Sequence, residues 1–178
     1  MRTALPETTF DRISQLELPV CRFCHELSGT WLRGFFSAVS RVGDGHYLYL
    51  TLAGLLLLHG GSALPAIGHT LLVAGVCHAL YRLLKNSTAR VRPLEFADGT
   101  FQMTVAPLDK YSFPSGHTLH AVSFAVLVTA YFPALGWVLI PFALLVAMSR
   151  VVLGLHYPTD VVAGAALGLT LALLSFQI

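Results

Sequence analysis

The chain has 178 residues, of which 55% are hydrophobic and only 11% are Asp, Glu, Lys or Arg. Soluble domains carry about 25% charged residues, so this composition excludes an ordinary soluble protein and favours an integral membrane protein built as one helical bundle. The net charge of +2 is too small to indicate nucleic acid as a partner, and three cysteines do not provide a disulfide framework.

The first 42 residues are predicted to form an interfacial region rather than a membrane span. Between Phe10 and Val20, apolar residues alternate with charged ones, which is typical of a short amphipathic helix on a membrane surface. The next run, residues 31–42, is apolar but contains two arginines, which favours a second interfacial helix over a full crossing. We therefore divide the chain into an N-terminal amphipathic interfacial region, residues 1–42, and a transmembrane core, residues 43–178.

A short motif in this N-terminal region matches a haem-attachment pattern. Residues 21–25 read Cys-Arg-Phe-Cys-His, which fits C-x-x-C-H. Covalent haem attachment requires export of the segment, and no export signal is visible here, while zinc would need two more ligands nearby. We expect Cys21 and Cys24 to be incidental thiols, and we predict no metal and no cofactor.

Five apolar segments of the core are predicted to be membrane-crossing helices. Uncharged turns at Gly60 and Pro133 separate two pairs of segments, and a polar loop with two prolines separates the second segment from the third. A sixth crossing before Gly43 stays open. The predicted fold class is therefore all-α, a polytopic antiparallel membrane bundle of five to six transmembrane helices. The predicted segments are residues 46–60, 66–84, 117–131, 137–153 and 160–176.

Three polar clusters lie at the ends of these apolar segments, at residues 85–93, 114–117 and 149–160. The first cluster follows an exit from the membrane, the second precedes a return into it, and the third joins the last two segments. With crossings in this order, all three clusters emerge on the same face of the membrane. The sequence therefore predicts one polar site at a membrane surface.

Five residues of these clusters are candidate ligands of a phosphate group. Lys85, Arg92 and Arg150 are permanent cations beside apolar helix ends, where an unpaired charge is costly. The guanidinium is a planar fork whose donors match two phosphate oxygens at once. Ser115 and Gly116 are predicted to start a helix, with Ser115 as N-cap and Gly116 allowing a close approach to a ligand. The free amides and the positive dipole end of that helix would face the anion.

Two histidines and an aspartate supply candidate catalytic groups. Asp160 follows His156 by one helical turn, so its carboxylate is expected to bind one imidazole nitrogen and to fix the tautomer. The other nitrogen of His156 is then unprotonated and is a candidate nucleophile. His117, at the start of a different helix, is the candidate general acid for the leaving group.

The combination of clusters resembles the type 2 phosphatidic acid phosphatase superfamily (PAP2). The pattern of that superfamily is K-x6-R-P, then P-S-G-H, then S-R-x5-H-x3-D. All three motifs are matched here in order, and the resemblance covers residues 66–176. The matching residues are Lys85, Arg92, Pro93, Pro114, Ser115, Gly116, His117, Ser149, Arg150, His156 and Asp160.

The resemblance implies a small bacterial-type membrane lipid phosphatase that needs neither a metal nor a cofactor. Its substrate would be a lipid of the bilayer, either a polyprenyl diphosphate, phosphatidic acid or phosphatidylglycerophosphate. His156 would attack phosphorus to give a phosphohistidine, Asp160 would orient His156, and His117 would protonate the leaving group. The expected location is the bacterial inner membrane, with the side of the active site left open. The phosphoryl group would be held by Lys85, Arg92, Ser115, Gly116 and Arg150.

Other interpretations of the same residues stay open at this point. A lipid phosphotransferase, which passes the phosphoryl group to another lipid, needs the same motifs. A membrane scaffold without activity would use Lys85 and Arg150 as interfacial anchors and Asp160 as a helix cap. The loop of residues 94–112 is either a lid over the lipid chain or plain connecting structure. The sequence does not indicate an oligomeric state.

Overall fold

The computed structural model describes residues 9–96 and 101–177, and these residues form helices and turns without any β-strand. Three short 3-10 turns, Gly60–Ala63, Pro133–Leu135 and Ser175–Gln177, connect or end the α-helices of the described chain. Residues 1–8 of the predicted interfacial region and residues 97–100 of the predicted loop lie outside the described residues. The α-helices are α1 (Thr9–Leu27), α2 (Thr30–Val42), α3 (His46–His59), α4 (Leu64–Thr88), α5 (Pro93–Phe96), α6 (Gly116–Tyr131), α7 (Gly136–Val152) and α8 (Pro158–Leu174).

The helices predicted from the apolar segments are all present, as α3, α4, α6, α7 and α8. Among the described residues, three segments are long and apolar enough to cross a membrane: His46–Phe96, which contains both α3 and α4, then Pro133–Val152 and Pro158–Gln177. The all-α fold class is thereby confirmed, while the number of five to six crossings stays a prediction. Helices are also present where two interfacial helices were predicted, and α1 runs through Pro19 without ending there.

Helix α6 lies at the centre of the bundle and packs against α4, α7 and α8. The closest approach is between α6 and α8, because two glycines of α8 face the backbone of α6. A Cβ at Gly164 would lie 2.5 Å from the carbonyl oxygen of Ser115, and a Cβ at Gly168 would collide with the carbonyl oxygen of Leu119. Any larger side chain at either position would push the two helices apart. This contact brings the N-terminal ends of α6 and α8 side by side.

The apolar residues are distributed as expected for a bundle surrounded by lipid. Phe124 and Val128 of α6 and Val146 of α7 are buried in the centre. Large apolar side chains also cover the outside, and Leu57, Leu58 and Trp137 are each more than 80% exposed. A soluble protein rarely exposes contiguous apolar patches of this kind, whereas the acyl chains of a bilayer accommodate them.

The two N-terminal helices pack against the end of the bundle that carries the polar clusters. Helix α2 packs along α7, and α1 packs against α7 and the short helix α5. Leu18 and Cys21 of α1 are buried together with Tyr157, which directly precedes α8. The α1 helix therefore reaches the connection between α7 and α8, where the third polar cluster is located.

Candidate active site

The three polar clusters predicted to form one site come together around a cavity of about 500 Å³. Five of the eight predicted site residues line it directly: Arg92, Gly116, His117, Arg150 and His156. The remaining three, Lys85, Ser115 and Asp160, are buried and do not line it. Residues 105–109 form one wall of the cavity, so this part of the loop closes over the site.

Lys85 and Arg92 converge on one carboxylate that the sequence analysis did not single out. The Lys85 ammonium and Arg92 Nη2 both donate to Asp109 Oδ1, the latter at 2.6 Å. Burial by itself would raise the pKa of Asp109, but the hydrogen bonds and positive charges of Lys85 and Arg92 outweigh it and hold that pKa below its ordinary value. Asp109 is therefore an anion, and two of the predicted phosphate ligands hold its oxygen.

Arg92 also contacts the predicted nucleophile. Its Nη1 donates to the backbone oxygen of Leu155 (2.6 Å) and to Nε2 of His156 (3.2 Å). Because a guanidinium can only donate, Nε2 of His156 is the acceptor and carries no proton. The pKa of His156 lies well below its ordinary value, first because the imidazole is buried and then because Arg92, Lys85 and Arg150 are positively charged. His156 is thus a neutral imidazole with its Nε2 lone pair on the side of the cations.

The expected contact between His156 and Asp160 is longer than a hydrogen bond. Nδ1 of His156 lies 3.6 Å from Oδ2 of Asp160 and has no hydrogen-bond partner within the described part of the chain. The Asp160 carboxylate instead accepts from the backbone N–H of Tyr157 (2.8 Å) and from Arg90 (2.6 Å). Asp160 therefore stands beside Nδ1, but two other donors set its position.

Arg150 is a buried cation with spare donor capacity. It is 2% exposed at the end of α7, and its Nε donates to the hydroxyl of Ser149 at 3.1 Å. Its Nη2 has no hydrogen-bond partner among the described residues. A buried, unsatisfied guanidinium nitrogen is costly, and a ligand oxygen in the adjoining cavity would remove that cost.

Helix α6 starts where it was predicted, but the hydroxyl of the predicted N-cap residue makes no capping hydrogen bond. Ser115 is the N-cap residue, yet its hydroxyl pairs with the hydroxyl of Thr118 at 2.9 Å instead of a backbone amide. The backbone N–H of Ser115 donates to the backbone oxygen of Asp160 at 3.0 Å, which joins the starts of α6 and α8. At Gly116 a Cβ would touch the Tyr81 ring at 3.4 Å, so the backbone here is close to α4 as well.

His117 has a carboxylate partner that sequence reasoning also missed. Its Nε2 donates to Oδ1 of Asp44 at 2.5 Å, and both residues line the cavity. Asp44 lies in the turn between α2 and α3, between two glycines. A lone acidic residue directly before an apolar segment was a signal in the sequence, but nothing in the sequence linked it to a histidine 73 positions later.

Two residues of the haem-like pattern, Cys21 and His25, are buried in the protein interior, whereas Cys24 is half-buried. Cys21 is buried, and burial first, then the negative charge of Glu17, raises the pKa of its thiol to about 12. His25 donates from Nδ1 to the backbone oxygen of Val152 (3.0 Å) and accepts at Nε2 from the backbone N–H of Gln102 (3.2 Å). Both ring nitrogens are therefore already used. Among the described residues no group of three His, Cys, Asp or Glu side chains is placed to hold a metal ion.

Comparison with known proteins identifies the family. Residues 64–178 match the PAP2 superfamily, which is more than half of the chain. The chain belongs to the PAP2 superfamily. The predicted resemblance is thereby confirmed, together with the predicted enzyme class of a PAP2-type phosphatase. The match begins at the start of α4, so α1, α2 and α3 lie outside it.

Several relatives of known name support this assignment. An undecaprenyl-diphosphatase of Sulfolobus acidocaldarius is 36% identical over 83% of this chain and 70% of its own length. A lipid A 1-phosphatase of Rhizobium johnstonii is 39% identical over 54% of this chain, but the match spans only 41% of that relative. The crystal structure of a transmembrane PAP2-type phosphatidylglycerolphosphate phosphatase from Bacillus subtilis superposes with a TM-score of 0.71 at 25% identity, covering 94% of this chain and 86% of that one. With its three segments long enough to cross a bilayer, this chain is an integral membrane protein.

Proposed function

We propose that the chain is a lipid phosphatase that removes phosphate from a lipid phosphate or diphosphate through a phosphohistidine, without a metal ion. The observation that carries the proposal is the position of Arg92, which donates to Nε2 of His156 and to the anionic oxygen of Asp109 at the same time. An oxyanion held by Lys85 and Arg92 therefore lies next to an unprotonated imidazole nitrogen. This is the arrangement that phosphoryl transfer to a histidine requires.

The substrate phosphate takes the place of the Asp109 carboxylate in this proposal. Both groups are oxyanions of similar hydrogen-bonding chemistry, so the donors of Lys85 and Arg92 serve either. The unsatisfied Nη2 of Arg150 binds a further phosphate oxygen. Ser115 and Gly116 begin α6, whose positive end and first-turn amides favour an anion. When Arg92 turns its donors to the phosphate, it releases the lone pair of Nε2.

His156 then attacks phosphorus. The Nε2 lone pair forms a nitrogen–phosphorus bond while the bond between phosphorus and the lipid-side oxygen breaks, and His117 gives its proton to that oxygen. Asp160, beside Nδ1, stabilises the positive charge that develops on His156. In the second step a water molecule gives a proton to His117 and attacks phosphorus, so that inorganic phosphate leaves and His156 is regenerated. Asp44 stabilises the protonated form of His117, which is present before the first step and again after the second.

The lining of the cavity supports an amphiphilic substrate. Its polar end carries the site residues, and its other walls include Leu48 of α3 and Leu71 and Ala74 of α4. A phosphate head group fits the first part and an acyl or prenyl chain fits the second. The names of the relatives, an undecaprenyl-diphosphatase and a phosphatidylglycerolphosphate phosphatase, lie within this class of substrate.

The arrangement in the membrane is part of the same proposal. We propose that the transmembrane core, residues 43–178, crosses the bilayer five times, because α3, α4, α6, α7 and α8 are predominantly apolar helices. Of the N-terminal interfacial region, residues 1–42, the described part from Thr9 onward lies at the interface on the side of the active site, where α1 meets the connection between α7 and α8. The membrane is the bacterial inner membrane.

The proposal is tested by phosphate release from purified protein in detergent, comparing wild type with His156→Ala. The substrates are a polyprenyl diphosphate, phosphatidic acid and phosphatidylglycerophosphate, each with a chelator present throughout. We expect release from at least one lipid in wild type and none in the variant. Loss of activity in chelator, restored by added metal, would refute the metal-independent chemistry. A new phosphorylated lipid in place of free phosphate would assign the chain as a phosphotransferase instead.

A further inference from the structure

Arg90 lies in the first polar cluster but has no place in the phosphate site described above. It is 3% exposed, and its guanidinium donates to four side chains. Nη1 donates to Asp160 Oδ1 at 2.6 Å and to the hydroxyl of Thr159 at 2.8 Å. Nε donates to the hydroxyl of Ser14 at 3.1 Å, and Nη2 donates to Glu17 Oε2 at 2.8 Å. Arg90 therefore connects α1 to the first turn of α8.

The contact with Asp160 is the one closest to the chemistry. The side chains of Arg90 and Asp160 are at most 1% exposed, and Nη1 of Arg90 lies 2.6 Å from Oδ1 of Asp160. The second oxygen of Asp160 accepts from the backbone N–H of Tyr157 at 2.8 Å, and the guanidinium carbon of Arg90 lies 4.1 Å from the centre of the Tyr157 ring. Since His156 is 3.6 Å away from the carboxylate, Arg90 fixes the position of Asp160 more directly than the histidine does.

Glu17 of α1 completes this arrangement from the opposite side. Its Oε2 accepts from Arg90 and from the hydroxyl of Thr159 at 2.6 Å, and its Oε1 accepts from the backbone N–H of Thr159 at 2.8 Å. That N–H belongs to the first turn of α8, which lacks an intrahelical acceptor. Glu17 thus holds both the arginine and the helix start that carry Asp160. It lies outside the part of the chain that matches the family, residues 64–178.

We propose that Arg90 and Glu17 are positioning residues for phosphoryl transfer, which hold the Asp160 carboxylate ionised and in place behind His156. The N-terminal helix α1 is accordingly part of the catalytic assembly, in addition to any role at the membrane surface. Neither Arg90 nor Glu17 lines the cavity. The arginines that line it are Arg82, Arg92 and Arg150. Their loss acts on the attacking imidazole through Asp160 and leaves the phosphate-binding cations untouched. This inference rests on the proposed phosphatase function.

The charges of Asp160, Arg90 and Glu17 explain why the proposal needs both Arg90 and Glu17. A buried carboxylate without a partner favours its neutral form, which can no longer stabilise a positive imidazole. Arg90 supplies that partner for Asp160. Glu17 in turn balances the second half of the guanidinium, whose Nη2 would otherwise be buried without an acceptor. Removing Glu17 frees Arg90 to move away from Asp160.

The test measures kcat and KM for phosphate release by the full chain in detergent. Glu17→Gln keeps the size of the side chain and removes its charge, and Arg90→Met removes the guanidinium while keeping an apolar stem. Glu26→Ala is the matched control, since Glu26 is an exposed acidic residue of the same helix. Inhibition by inorganic phosphate reports on the phosphate-binding cations separately.

We expect kcat to fall about 10–100-fold in Glu17→Gln and Arg90→Met, the loss typical of residues that orient functional side chains from behind. KM and the inhibition constant of inorganic phosphate should stay within about threefold of wild type. Because loss of folded protein also lowers the apparent kcat at unchanged KM, kcat is expressed per folded molecule, measured from the thermal-unfolding amplitude of the same preparation. Arg90→Lys should recover part of kcat, because an ammonium reaches one carboxylate but not both. If Arg90→Met does not fold, Glu17→Gln decides.

Two results would overturn the inference in distinguishable ways. If wild type releases phosphate and Glu17→Gln behaves like Glu26→Ala, the positioning role is wrong while the phosphatase function stands. If KM rises and kcat is kept, these residues act on binding and the inference is equally wrong. If wild type releases no phosphate from any lipid, the proposed function fails and this inference fails with it.

Discussion

The contact between α6 and α8 gives a prediction whose magnitude follows from the structure. Gly164 faces α6 one helical turn after Asp160, and a Cβ there would lie 2.5 Å from the backbone oxygen of Ser115, where an ordinary contact begins at 3.4 Å. The obstacle is backbone, so Gly164→Ala forces the helices apart by roughly 0.5–0.9 Å. The hydrogen bond of 3.0 Å from Ser115 N–H to the Asp160 oxygen connects the two helix starts at this point. The site residues on α6 and on α8 therefore separate.

The expected effect of Gly164→Ala is large on activity and moderate on stability. A misplacement of about 1 Å between reacting groups can cost about 100-fold in rate, so we expect kcat/KM to fall roughly 10–100-fold. Overpacking costs about 1–3 kcal/mol, which better helix propensity of alanine offsets by about 1 kcal/mol. The melting temperature in detergent should drop by a few degrees. Phosphate release and thermal unfolding of the same preparation measure both quantities.

The control for this experiment is Gly68→Ala in α4. A Cβ at Gly68 meets no heavy atom within 4 Å, so this variant makes the same chemical change without a collision. It should keep wild-type activity and an equal or higher melting temperature. If Gly164→Ala matched Gly68→Ala in both measurements, the reasoning from close helix packing would be refuted.

Three further predictions concern the site itself. Arg150→Lys should lower kcat/KM for phosphate release by about 10–100-fold, because a charged hydrogen bond contributes about 1.5–3 kcal/mol and one ammonium cannot replace the planar guanidinium. Near-full turnover in this variant would show that Arg150 does not bind the phosphate. Asp44→Asn keeps a hydrogen-bonding group beside His117 but removes the negative charge, so kcat should fall about tenfold with little change in KM. An unchanged kcat would show that Asp44 does not stabilise protonated His117. Burial and neighbouring cations hold the pKa of His156 well below its ordinary 6.5, and the neutral imidazole is the reactive form, so the acid-side loss of activity occurs as pH falls through that lowered value. The acid limb of the kcat/KM profile should therefore lie below pH 6.5, and a midpoint at or above 6.5 would show that His156 is not the titrating nucleophile.

Much of the helical architecture could be predicted because it depends on local sequence. Apolar runs of helical length, separated by turns at Gly60 and Pro133, predict helices without any knowledge of how those helices pack. The helix ends depart from the prediction: α4 continues past the predicted residue 84 to Thr88, so that Lys85 lies in the last turn of the helix instead of after it. Nothing in an apolar run marks its last helical residue, because hydrophobicity decides which segment is buried and capping decides where it ends.

The meeting of the polar clusters also followed from the sequence. Helices that alternate in direction bring the end of α4, the start of α6 and the connection between α7 and α8 to one end of the bundle. Their side chains do surround one cavity. The roles of His156, His117 and Asp160 stay predictions until a variant is assayed.

The partners of the site residues could not be predicted, because they come from distant, unpatterned positions. Asp109 lies in a loop without periodicity, and Asp44 lies in a turn 73 positions before His117. Glu17 is one of several acidic residues on an amphipathic helix, and its contacts with Arg90 and with Thr159, 142 positions away, distinguish it. Amphipathicity predicts a buried face but not which charged residue is enclosed by a neighbouring helix. The Asp109 carboxylate pairs with Lys85 and Arg92, and the Asp44 carboxylate pairs with His117. The charge balance of the site therefore follows from the three-dimensional structure and not from the sequence.

The central claim is that His156 becomes covalently phosphorylated during turnover. Wild-type protein is mixed with a lipid substrate that carries radioactive phosphorus and is quenched in base within one turnover, since phosphohistidine survives base and hydrolyses in acid. We predict an acid-labile label on the peptide that contains His156, its disappearance in a chase with unlabelled substrate, and no label in His156→Ala. Phosphate release at the full rate with no label on His156, or with the label on another residue, would contradict the account.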